Sequence, residues 1–96
     1  MLKEFLYLEA SDKELADEIL HFINSCEIRK GEFEGNSYVI EKMDFNNFII
    51  YHELVDQKGN RSIVQAFSTY RRDLQNALIM RSKEAGYTLN QNYLLE

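Results

Sequence analysis

Three side chains in this sequence are of types that carry nucleophilic or acid–base chemistry: the single Cys26 and the two histidines, His21 and His52. A cysteine nucleophile needs a base within hydrogen-bond reach and an exposed, electropositive setting. The spacing supplies neither. Cys26 repeats at helical intervals with Leu15, Ile19, Phe22 and Ile23, which predicts a small core residue, and His21 falls off that stripe toward solvent. His52 stands beside Glu53 in the run FIIYHELV, but neighbours in a strand point to opposite faces, so the pair is not expected to share a task. If His52 lies on the open face of a sheet, it is expected to be solvated rather than to contact a ligand. The two histidines are not at a metal-binding helical spacing, and the chain has no glycine-rich phosphate loop, no GxSxG and no CxxC. The sequence therefore predicts no catalytic residue, no metal ligand and no cofactor.

Ninety-six residues make one small domain, 1–96, and a composition 45% hydrophobic with six Tyr and six Phe is enough to fill a core. One cysteine allows no internal disulfide. No apolar run is long enough to cross a membrane, and nothing resembles a signal peptide, so a cytoplasmic setting without a membrane partner is expected. The net charge of −5 disfavours nucleic acid, whose binding rests on phosphate neutralisation by Lys and Arg. The charge is uneven, however. Residues 1–56 hold thirteen acids and five bases, whereas residues 57–96 hold six bases and three acids. One surface can then attract what the other repels.

These residues need elements to hold them. Leu2–Leu8 (LKEFLYL) has consecutive apolar positions from Phe5 and reads as a buried strand, with a helix as the competing reading. Ser11-Asp-Lys-Glu14 has the spacing of a capping box and opens an amphipathic helix from about Asp12 to Ser25 with an acidic outer face. From Ile28 to Phe67 the pattern becomes strands. Tyr38 and Ile40 share one face, with Val39 and Glu41 on the other. Met43–Asn47 and Asp56–Asn60 are turns, Phe48–Val55 is the best strand, and Arg61–Phe67 is the next. Ser68 or Thr69 is expected to cap a last helix that ends at Gly86, and residues 87–96 form a short strand or a tail. The whole predicts an α+β domain in the order β-α-β-β-β-(β)-α: an antiparallel meander with two helices on one face.

The last helix carries the candidate contact residues. Tyr70, Leu74, Ala77, Leu78 and Ala85 form the stripe expected to face the sheet, with Arg81 snorkelling from it to the edge or toward a carboxylate of the acidic half. Ile79 points away, Met80 lies on a flank, and Arg72, Gln75 and Lys83 surround them. An apolar centre with a polar rim is the anatomy of a protein interface. The expectation is a small acidic binding module that works through contacts with another protein or with a second copy as a homodimer, as an adaptor, regulator or inhibitor. Two alternatives stand beside it. Arg71, Arg72, Gln75, Asn76 and Lys83 would address nucleic acid. Asp12, Glu14, Asp17 and Glu18 would instead imitate a phosphate backbone and block a nucleic-acid-binding protein.

Overall fold

A computed structural model describes residues 2–95. The chain runs α1 (Leu2–Glu9), α2 (Lys13–Asn24), β1 (Gly31–Glu34), β2 (Tyr38–Lys42), β3 (Asn47–Val55), β4 (Arg61–Tyr70) and α3 (Arg71–Ala85), followed by a 3-10 turn at Gln91–Tyr93. The strands form one antiparallel sheet in the order β1-β2-β3-β4, the expected meander in an α+β domain. Tyr38, Ile40, Phe48 and Ile50 share the sheet face turned to the helices, where they meet Ile19, Phe22 and Ile23 of α2 and Leu74 and Leu78 of α3.

The first segment departs from the strand reading. It is a helix: Phe5 and Glu9, four residues apart, share its buried side, while Tyr7 and Leu8 face out. A strand would have buried Tyr7 with Phe5. The expected capping box is also not made: Ser11 donates its hydroxyl back to the Tyr7 carbonyl, and Asp12 caps α2 by accepting from the Leu15 amide at 2.9 Å. β4 runs without a break into α3, so Ser68 and Thr69 remain strand residues and do not cap the helix. Gly86 does end α3, in the left-handed conformation at φ 86°, and its amide bonds back to Ser82. The turns follow expectation. Asp44 accepts from the amides of Asn46 and Asn47, Asp56 from those of Lys58 and Asn60, and Gly59 takes a φ of 83°.

Among the described residues two charged side chains are sealed inside, each matched by backbone groups. Glu9 is 1% exposed, and its carboxylate accepts from the amides of Asn36 at 2.5 Å, Ser37 at 2.6 Å and Tyr38 at 3.0 Å, which fixes the β1–β2 turn against α1. Lys42, also 1% exposed, donates to the carbonyls of Phe22 at 3.0 Å, Ser25 at 3.0 Å and Ile23 at 3.4 Å. These are the orphan carbonyls at the C-terminus of α2, where the helix dipole favours a cation. Burial pulls the Lys42 pKa below 10.5; nearby Cys26 pushes it up and Arg71 pushes it down.

A glycine is required at position 35 because a Cβ there would collide with the Glu9 carboxylate. Gly35→Ala is expected to displace the carboxylate from its amides and cost about 2–4 kcal/mol in a denaturant titration, the range for stripping partners from a buried charged group. The pH dependence of Lys42 has a definite sign. Because the folded pKa lies below 10.5, the unfolded chain holds this proton more tightly, so the contribution of Lys42 to stability rises with pH through that window. Tyr38, Tyr51 and Tyr87 are shifted up by burial from 10.0 and act oppositely, lowering stability as pH climbs past 10.0. In thermal melts, the stability of wild type relative to Lys42→Met should therefore increase as pH approaches 10.5, while both proteins weaken beyond the tyrosine range.

Candidate functional site

The residues singled out on α3 divide into two groups. Arg72, Met80 and Lys83 are exposed, Met80 at 64%. Gln75, expected on the polar rim, is instead 7% exposed. Its carboxamide oxygen accepts from Asn24 Nδ2 at 2.7 Å and from the Leu95 amide at 3.0 Å, and its Nε2 donates to the Leu95 carbonyl at 2.6 Å. Asn24 also donates to the Tyr93 carbonyl at 2.6 Å. Gln75 thus ties the C-terminal tail to α2 and is spent on the fold. Ile79 is half-buried and packs against the core rather than pointing away from it.

The physical reason is that α3 packs chiefly on α2, with α1 and β4 on its flanks, so more of its circumference is covered than a sheet alone would cover. The same shift brings Tyr70 and Ala85, expected underneath, to the surface, while Leu74 and Leu78 lie beneath as expected. Two of the helix's cations are also engaged within the chain. Arg71 donates to Asn24 Oδ1 at 3.0 Å and lies 5.3 Å over the Phe45 ring. Arg81 is 4.4 Å over the Tyr7 ring and 3.6 Å from Glu84, its own neighbour on α3, rather than from a carboxylate of the acidic half.

The groups considered for chemistry are scattered. Cys26 is exposed, not core, because α2 ends at Asn24 and Ser25 is extended, which breaks the helical stripe before it reaches the thiol. It lines an open cleft of ≈ 430 Å³ with Ile28, Arg29, Lys30, Met43, Asp44 and Phe45. His52 sits on the helix-side face, opposite Tyr38 in register and stacked on its ring at 5.0 Å; it is not on the open face. His21 is exposed and packs on Tyr93 at 4.6 Å. Among the described residues no three His, Cys, Asp or Glu side chains converge as metal ligands would. On the acidic face of α2, Asp17 is partly spent, accepting from Lys13 at 2.6 Å and from the Asn90 amide at 2.7 Å.

The sheet face turned from the helices holds what the sequence reading missed. Register sets Glu32 directly opposite Glu41, Glu34 opposite Val39, and Val39 opposite Tyr51. Like charges directly across a ladder repel, so this pairing costs stability. Val39 and Tyr51 are buried at the centre of the face, and the phenol of Tyr51 is held above its ordinary pKa by burial first and then by Glu32, Glu53 and Glu41. Glu53 is 3.2 Å from Arg61, the ion pair this face contains among the described residues. The alternation GEFEG followed by YVIEK carried the signal, since it puts Glu32, Glu34 and Glu41 on a common side once the hairpin register is known. Beyond this face, the free end of the β3–β4 hairpin presents Leu54, Val55, Ile63 and Val64, each more than half exposed.

Ile79 is half-buried, so its substitution reports on the core. Ile79→Asp should lower stability by about 1–3 kcal/mol by setting a carboxylate against the core, read as a lower denaturant midpoint in the isolated chain. Met80→Asp, at an exposed site, should leave the midpoint nearly unchanged. Compared with known families, with curated proteins and with solved structures, the chain matches no family model, no curated protein and no solved structure.

Proposed function

We propose that this protein is a small binding module that acts through protein contacts rather than catalysis, and that the uncovered face of its sheet receives a basic surface of its partner. The observation that carries the reading is the cross-strand pair Glu32–Glu41, with Glu34 and Glu53 beside it around the buried Val39 and Tyr51. A like-charge pair directly across the ladder is a cost to the isolated chain, and an incoming Lys or Arg would offset it. The last helix adds Arg72, Met80 and Lys83 as a second exposed strip for a contact of opposite sign. A protein that normally binds nucleic acid has the basic surface this face suits, so acidic mimicry is the more specific form of the same reading.

Glu32→Lys separates the binding role from a structural one. It replaces the repulsion with an attraction between the new ammonium group and Glu41, and should raise stability by roughly 0.2–1 kcal/mol. The same change should abolish salt-sensitive capture of a basic protein from the native cell, whereas Glu14→Lys and Glu18→Lys on α2 should not. If the doubly changed α2 protein loses the partner and Glu32→Lys keeps it, the sheet face is not the contact. Competition of the captured partner by duplex nucleic acid would identify mimicry.

A further inference from the structure

The two edges of the sheet are built differently. β1 is four residues long and carries Glu32 and Glu34, both features that blunt an edge against pairing. β4 is ten residues long, has no proline and no lysine, and has Arg61 as its one charged residue. The hydrogen bond from Met43 N to Asn47 O sets the alternation along β3, so that Asn47, Ile49 and Tyr51 bond toward β2 and Phe48, Ile50 and His52 toward β4. Their register partners Thr69, Phe67 and Gln65 therefore bond inward, and Ala66 and Ser68 turn their N–H and C=O groups away from the sheet. Among the described residues no backbone hydrogen bond joins β4 to any element except β3. Ala66 and Ser68 are exposed, as are Ile63 and Val64 farther along the strand.

We propose that β4 pairs antiparallel with β4 of a second copy of this chain, joining the two sheets into one of eight strands about a two-fold axis. A bulge at Val64, between the pairs His52–Gln65 and Glu53–Ile63, leaves Gln65–Tyr70 as the regular stretch, so the axis passes close to Phe67 and Ser68. Charge permits this occupant: Arg61 is paired with Glu53 in its own chain, and the two-fold puts the two Arg61 side chains at opposite ends of the seam. The other self-pairing, β4 on β1 of a neighbour, matches only four residues, sets a glutamate edge against the seam and does not close. The regular, uncharged stretch Gln65–Tyr70 of this edge would template aggregation unless its cover were present wherever the chain is, and a second copy always is. The pairing goes beyond the acidic-face reading and does not depend on it.

Sedimentation equilibrium of the wild-type chain should give twice the 11.4 kDa monomer mass. Amide hydrogen exchange should show Ala66 and Ser68 protected, although neither amide has a partner within one chain. Ser68→Pro removes an outward N–H without touching the ladder to β3, and should halve the mass while the far-UV circular dichroism stays that of a folded protein. Ala66→Lys tests the same edge without proline and should also give a monomer. A monomeric wild type up to millimolar concentration, free exchange at Ala66 and Ser68, or a dimer that persists in either folded variant overturns the proposal. Glu32→Lys should leave the mass unchanged, so loss of the acidic contact and loss of the dimer are separate results.

Discussion

A carboxylate taken out of water must be met by dipoles or by a counter-charge, and in this protein Glu9 is met by three consecutive amides. That requirement organises one whole end of the molecule. The β1–β2 turn has to present its amides inward, position 35 has to be glycine so that the carboxylate can approach, and α1 has to be a helix that brings Glu9 and Phe5 to the same side. Asn36 adds a second tie by donating to the Leu8 carbonyl at 3.2 Å. Lys42 does the converse at the end of α2, donating to three carbonyls of a helix terminus that has lost its partners. Both charges are neutralised by backbone, so neither needs an ion partner and neither is free for a ligand.

A third buried polar group serves the tail. Asn24 and Gln75 are each close to fully satisfied, by one another, by Arg71, and by the backbone at Tyr93 and Leu95. Residues that lack regular secondary structure are fixed to the helices this way, and Tyr87 adds a bond from its hydroxyl to the Ala10 carbonyl at 2.6 Å. Such a network specifies geometry more than it adds stability, although the buried Nε of Arg71 beside it has no hydrogen-bond partner. It also explains why α3 is rotated from the orientation its apolar stripe implies. The buried side of that helix includes Gln75 and Ser82, which a hydrophobic pattern assigns to solvent.

The legible part of the fold was the part governed by periodicity and turn chemistry. The meander, the Asp44 and Asp56 turns, the length of α2 and the Gly86 stop all follow from local rules that involve a few neighbouring residues. The illegible part depended on pairs far apart in the chain. Glu9 is 27 to 29 residues from the amides it binds, and Asn24 is 51 from Gln75. A polar side chain that belongs to the core cannot be told from one that belongs to solvent until its partner is known, which is why LKEFLYL, with Glu9 just beyond it, read as a strand and Gln75 read as part of the polar rim of α3. The acidic sheet face was hidden for a related reason: the alternation of Glu32, Glu34 and Glu41 was visible, but only register turns Glu32 and Glu41 into a repulsive pair.

The contrast between the two kinds of glutamate bears on function. Inside, the chain supplies Glu9 with three donors. On the outer sheet face it sets Glu32 against Glu41 and has Arg61 engaged with Glu53 alone. Glu32 is exposed and Glu41 half-buried, so water and salt screen the pair and the penalty is small enough to persist, yet it grows as any partner approaches and excludes solvent. In the binding role proposed for this face, only a partner that brings positive charge turns that growing penalty into attraction, so the face selects by sign before it selects by shape.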